Sequence, residues 1–121
     1  MQSVSSNAVA QALSYSTTEQ LTGGKWIDGK PIYRIGAKVN ANFGVGSLVT
    51  LLNITNLNIG AIVNMGCIIY NRNRYWTDGN EPSRSKIFVD NVTKNFVASN
   101  EGSVDYGASV FYAFLEYIKT S

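Results

Sequence analysis

The closing segment ASVFYAFLEYIKT, residues 108–120, constrains this chain more than any other stretch. Side chains alternate between the two faces of a β-strand. On that period one face carries Val110, Tyr112, Phe114, Glu116 and Ile118, and the other Phe111, Ala113, Leu115 and Tyr117. Only a strand covered on both sides, or one at a subunit contact, makes use of two such faces. A second run, AIVNMGCIIY at 61–70, is also apolar on both faces. It reads as a strand in the middle of a packed core, since Gly66 and its β-branched content argue against a helix.

The rest of the chain fits that scheme. IYRIGAKV (32–39) and SLVTLLNIT (47–55) alternate, and SKIFVDN (85–91) and KNFVAS (94–99) are short runs bridged by 90–93. Short strands at close spacing, Gly- and Asn-rich turns and no long amphipathic helix predict an all-β chain, an antiparallel sandwich or barrel. With 121 residues, no repeat and no low-complexity tract, one domain is expected. A domain of this size buries only about two-thirds of its unfolded surface, so oligomerisation would help it.

The N-terminal part has a different character. SVSSNAVAQALS reads as a short helix with Ser5 or Ser6 as its cap, and Val9 and Leu13 fall one turn apart beside Ala8 and Ala12. About two turns are too short to be stable alone, and the narrow stripe suits packing against copies of itself. This leader resembles the end of a longer stalk. STTEQLTGG (16–24) reads as a polar linker. In KWIDGKPIY, Asp28 and Gly29 predict a two-residue hairpin turn, with Lys25, Trp26 and Ile27 on one arm and Lys30, Pro31, Ile32 and Tyr33 on the other. Pro31 lacks an N–H, so its arm belongs at a sheet edge or a strand start. The expected organisation is a stalk helix at 1–14, a linker and collar hairpin at 15–34, and a β head at 35–121.

Several function classes are excluded by what the chain lacks. It has no histidine, which removes the commonest general base and metal ligand. Its single cysteine, Cys67, sits in an apolar run and reads as a buried core thiol. The net charge is only +2 and the Lys and Arg residues are scattered, which argues against a nucleic-acid or membrane-surface binder. No run reaches the ~18 apolar residues of a membrane span, and the start lacks the pattern of a signal peptide. A soluble, metal-free chain without cofactors is expected.

YSTTEQLTGGKWIDGKPIYR (15–34) resembles a cassette of tail-fibre and baseplate receptor-binding proteins of tailed bacteriophages and of prophages of Gram-positive gut bacteria. In that family a leader similar to SVSSNAVAQALS precedes the cassette, and the closing LEYIKTS resembles the family's ending. The likeness covers roughly the first 34 residues and the last eight; the middle, about 36–112, departs from it. The resemblance implies a homotrimeric, jelly-roll-like β-sandwich head at a fibre tip. That head would belong to the virion, contact other tail proteins and attach to a bacterial cell-surface polysaccharide or teichoic acid. Receptor specificity would then reside in the variable middle.

The most site-like segment is YNRNRYWTDGNEPSR (70–84), which gathers Tyr70, Arg72, Arg74, Tyr75, Trp76, Asp78, Asn80, Glu81 and Arg84 around an expected Asp78-Gly79 turn. An aromatic face covers the C–H side of a sugar ring while Asp, Asn, Glu or Arg groups bond its hydroxyls, and an anionic polymer prefers the arginines. The candidate ligand-binding set is Arg72, Arg74, Tyr75, Trp76, Asp78, Asn80 and Glu81. The bland alternative makes Trp76 a cap on the core and the charges a solvated loop. A second candidate, SNEGSVDYG (99–107), offers Asn100, Glu101, Asp105 and Tyr106 to a groove between subunits. A glycosidase would need two carboxyl groups flanking the bond at about 5–10 Å. Glu81, Glu101 and Asp105 are the carboxylates to consider, but no spacing in the sequence specifies that geometry. The expected function is non-enzymatic host attachment; the competing one is a structural trimerisation or tail-tip module.

Overall fold

The computed structural model describes residues 16–77 and 85–120. The expected stalk helix at 1–14 lies outside them. The described chain is nearly all β, and no α-helix occurs among the described residues. Its strands are β1 (Gln20–Lys25), β2 (Pro31–Asn42), β3 (Leu48–Asn53), β4 (Ile59–Asn71), β5 (Arg74–Thr77), β6 (Ser85–Asp90), β7 (Asn95–Asn100) and β8 (Ala108–Lys119). They form a five-stranded sheet in the order β1-β2-β8-β4-β5 and a three-stranded sheet in the order β3-β7-β6. The β1–β2, β3–β7, β4–β5 and β6–β7 pairs are antiparallel. The closing strand therefore takes the central place in the larger sheet, where Phe111, Leu115 and Tyr117 are wholly buried. Its other face is only partly covered, with Val110, Phe114 and Glu116 half-buried and Tyr112 exposed.

The backbone gathers into two compact units. Among the described residues, one comprises 16–36, 57–65 and 114–120; the other comprises 37–56, 66–77 and 85–113.

In the first unit the expected linker is largely a strand. β1 pairs with β2 at Gln20↔Arg34 and Leu21↔Tyr33, and the register shifts before Lys25↔Pro31. Its polar composition suits the sheet edge it occupies. The hairpin is closed by Ile27, Asp28 and Gly29, not by the two-residue turn the sequence suggests. Trp26 N–H donates to Lys30 O and Gly29 N–H to Trp26 O, both at 2.9 Å. Only Gly29 takes positive φ (85°), while Asp28 Oδ1 accepts the Lys30 N–H at 2.9 Å. This is a type I turn followed by a left-handed glycine. Pro31 opens β2, where its missing N–H costs nothing.

The same unit satisfies a charge within an apolar strand. Glu116 Oε2 accepts from Arg34 Nε at 2.8 Å and pairs with Nη2 at 2.6 Å, with side chains only 16% and 13% exposed. Asn64 Nδ2 donates to the other carboxylate oxygen at 3.0 Å. Tyr117 donates to the Glu19 carboxylate, which also pairs with Lys119 Nζ at 2.7 Å.

In the second unit β7 pairs with β3 on one side and β6 on the other. Phe43 and Phe111 meet edge to face at 5.0 Å in its core. Asn100 is completely buried, and its Nδ2 donates to Phe43 O at 3.1 Å and Val104 O at 2.8 Å. Cys67 and Ile69 are buried as expected, yet Ile68 on the opposite face of β4 is 39% exposed. The expected burial of β4 on both faces therefore does not hold. In the first unit Met65 is also 39% exposed. Ile and Val favour a pleated strand whether or not both faces are covered, so the run reported strand propensity more faithfully than burial.

Candidate functional site

The second unit's β4–β5 hairpin is the frame of the site. Tyr70 pairs with Tyr75 and Asn71 with Arg74, leaving Arg72 and Asn73 as a two-residue turn. Both turn residues have positive φ, 49° and 61°. That combination matches the right-handed twist of the strands, and Asn tolerates it. Arginine adopts it at a cost, which is met here by the side chain's contacts. β5 is not legible within the site-like segment 70–84, because the turn that precedes it contains no glycine. The expected Asp78-Gly79 turn, with Asn80, Glu81 and Arg84, lies outside the described residues.

The hairpin brings the two candidate segments together. Arg72 Nη2 donates to Asp105 O at 2.7 Å, and its guanidinium lies 5.2 Å from the Tyr106 ring centroid. The Trp76 and Tyr106 rings are 5.6 Å apart at 52°. Arg74 lies over the Trp76 ring at 6.0 Å. Behind them, Trp76 Nε1–H donates to Asn71 Oδ1 at 2.9 Å, and the buried Asn71 donates through Nδ2 to Ser109 Oγ at 3.1 Å. The indole is thus fixed in position by a buried polar chain, and Asn71 is a positioning residue that sequence reasoning did not single out. No local pattern marks it, since its pairing with Arg74 depends on a turn without glycine.

Arg72, Arg74, Trp76, Val104 and Tyr106 line a cleft of about 390 Å³. Two aromatic surfaces and two guanidinium groups face the same space, and none of these lining residues bears a carboxylate. Such a lining suits the C–H face of a sugar ring together with hydroxyl or acidic substituents.

The remaining candidates sit elsewhere. Tyr75 is 72% exposed and packs on Tyr70 at 4.7 Å. Glu101 pairs with Lys86 at 3.1 Å and accepts from Ser99 Oγ at 3.3 Å. Asn100 is spent on the backbone: besides its two donations it accepts the Gly102 N–H at 3.1 Å, so it shapes the 101–107 loop from beneath. Asp105 uses Oδ1 to accept the Gly107 N–H at 2.9 Å and contributes its carbonyl, not its carboxylate, to the Arg72 contact. No group of three or more metal-ligating side chains occurs among the described residues. No helix among them is long and apolar enough to cross a membrane. The chain matches no family model, no characterised protein and no solved structure.

Proposed function

We propose that this chain is the receptor-binding head of a phage or prophage tail fibre, a non-enzymatic homotrimer that attaches the virion to a glycan on the bacterial surface. In this reading the two sheets form a jelly-roll-like sandwich, and residues 1–14 end a helical stalk. The observation that carries the binding role is the convergence of Trp76, Tyr106, Arg72 and Arg74 on one cleft. The resemblance of 15–34 and of the closing LEYIKTS supports the tail-fibre setting. A shallow, weakly binding cleft is sufficient in such a setting, because several copies per particle raise avidity by roughly 10²–10⁴.

The test is sedimentation of the protein with purified cell walls from a panel of Gram-positive gut bacteria. Binding to some walls, lost in Trp76→Ala with the fold retained, is the expected result; wild-type protein that binds none of them removes the adhesion reading.

A second reading, a structural trimerisation or tail-tip module, draws on the β1–β2 hairpin. Leu21, Trp26 and Ile27 are all exposed there, Ile27 at 90%. Failure to bind walls, together with a stable complex with another tail protein, would favour it.

A further inference from the structure

Arg72 belongs to two hollows. Besides the aromatic cleft, it lines a concavity of about 680 Å³ with Tyr70, Asn71 and Asn73 of the hairpin, Asn40 and Asn42 of β2, and the start of β8. Nothing in the sequence reading pointed to it, because its asparagines come from strands far apart in the chain. Asn40 and Asn42 stand two apart on β2 and so project from the same face. Both are exposed, and their side chains make no hydrogen bond to any described residue. Asn73 Oδ1 accepts from Tyr70 O–H at 3.4 Å, which leaves its NH₂ group as a donor. Among the lining residues only Arg72 is charged.

The chemistries on the two sides of Arg72 are therefore different. One side offers guanidinium and aromatic surface; the other offers primary amides, each with two donors and a two-lone-pair acceptor matched to vicinal hydroxyls. We propose that the asparagine-lined concavity is a second subsite continuous with the first, and that the ligand is an acidic polyhydroxylated chain. Its anionic group, a phosphodiester or a carboxylate, sits against Arg72 and Arg74, while the neighbouring polyol or sugar unit is bonded by Asn40, Asn42 and Asn73. This rests on the adhesion reading and adds to it the ligand's charge and its minimum length.

The test is calorimetric titration of the full chain with poly(glycerol phosphate) and with oligogalacturonate, which separate the two acids, and with neutral dextran. Glycerol 3-phosphate and galacturonate serve as single-unit probes. Asn40→Ala/Asn42→Ala, with an unchanged melting curve, is expected to weaken the preferred polymer roughly ten- to thirtyfold, the loss of two neutral hydrogen bonds. Binding of the matching single unit stays unchanged in that variant, whereas Arg72→Ala abolishes both. If the double variant binds polymer like wild type, the second subsite is overturned and the arginine cleft stands. If dextran binds as well as the acidic polymers, or neither acidic polymer binds while cell walls still do, the acidic-chain assignment is overturned and adhesion stands. Loss of wall binding by the wild type removes both.

Discussion

Trp76 and Tyr106 meet ring to ring at 5.6 Å, one from a hairpin strand and the other from the loop before the last strand. What holds Trp76 in that place is the donation of its indole N–H to the buried Asn71. Replacing the indole therefore separates two roles. Trp76→Phe keeps an aromatic face but leaves Asn71 Oδ1 without its donor, at a cost of about 1–3 kcal/mol. Wall binding is expected to fall only a few-fold in that variant and at least about tenfold in Trp76→Ala, where the face itself is gone. Urea titration and wall sedimentation on both variants check this; equal binding by Trp76→Ala and wild type rules out the cleft.

Arg72 and Lys94 both hold positive φ, 49° and 60°, yet only Arg72 lines the cleft. Glycine at either position relieves a left-handed backbone, worth about 1 kcal/mol. Lys94→Gly is expected to stabilise the fold by up to about that amount without touching binding. Arg72→Gly gives up its contacts with Asp105 and Tyr106, so its stability stays within about 1 kcal/mol of wild type while binding is lost. Parallel urea midpoints and binding isotherms show whether the two glycines part in this way.

Asn100 was a plausible ligand contact from its neighbours in sequence, but its amide closes three bonds inside the protein. Asn100→Leu has a similar size and leaves the Phe43 and Val104 carbonyls without that donor and the Gly102 N–H without its acceptor. The Phe43 carbonyl keeps the Tyr106 N–H at 3.1 Å, so the loss falls on the other two groups, and about 2–3 kcal/mol is expected. Chemical denaturation measures it; a loss below about 1 kcal/mol would mean that water replaces the side chain.

The strand at 32–39 was legible from its two-residue alternation, and those at 61–70 and 108–120 from apolar runs rich in β-branched and aromatic residues. β1 was not, since Gln20, Thr22 and two glycines look like a linker and form a strand only because β2 lies beside them. β5 was hidden by a turn whose positive φ falls on Arg72 and Asn73 in place of glycine. The site was half legible. Trp76 and its arginines stood out by composition, but their meeting with Tyr106, and the gathering of Asn40 and Asn42 near Asn73, depend on strand order, which no local pattern encodes. The burial of Asn100 was illegible for the same reason.

Burial of Tyr117 and the Glu19 carboxylate it bonds raise its phenol well above the ordinary 10.0. The unfolded chain then releases this proton first. Stability from the pair is fully present below 10.0 and is lost as pH rises beyond it. Urea midpoints between about pH 8 and about pH 11 are expected to fall more steeply for wild type than for Tyr117→Phe, which has no proton to release. Parallel slopes would show that this phenol contributes nothing to the alkaline limb.

The exposed hairpin bears on assembly. Ile27 at 90% exposure and Trp26 at 38% sit beyond the end of the paired strands, and the helix expected from the sequence at 1–14 is too short to be stable alone. The proposed trimer would give this exposed apolar tip a neighbouring chain to pack against. Light scattering is expected to give about three times the 13.2 kDa of one chain. Deleting residues 1–14, or the single change Ile27→Asp, is expected to shift the mass toward monomer at low micromolar concentration. A monomer in the intact chain would remove the trimer, and with it the reason for an exposed collar. A trimer unaffected by either change would place the contact elsewhere, and the partly covered face of β8 around the exposed Tyr112 would be the next surface to alter.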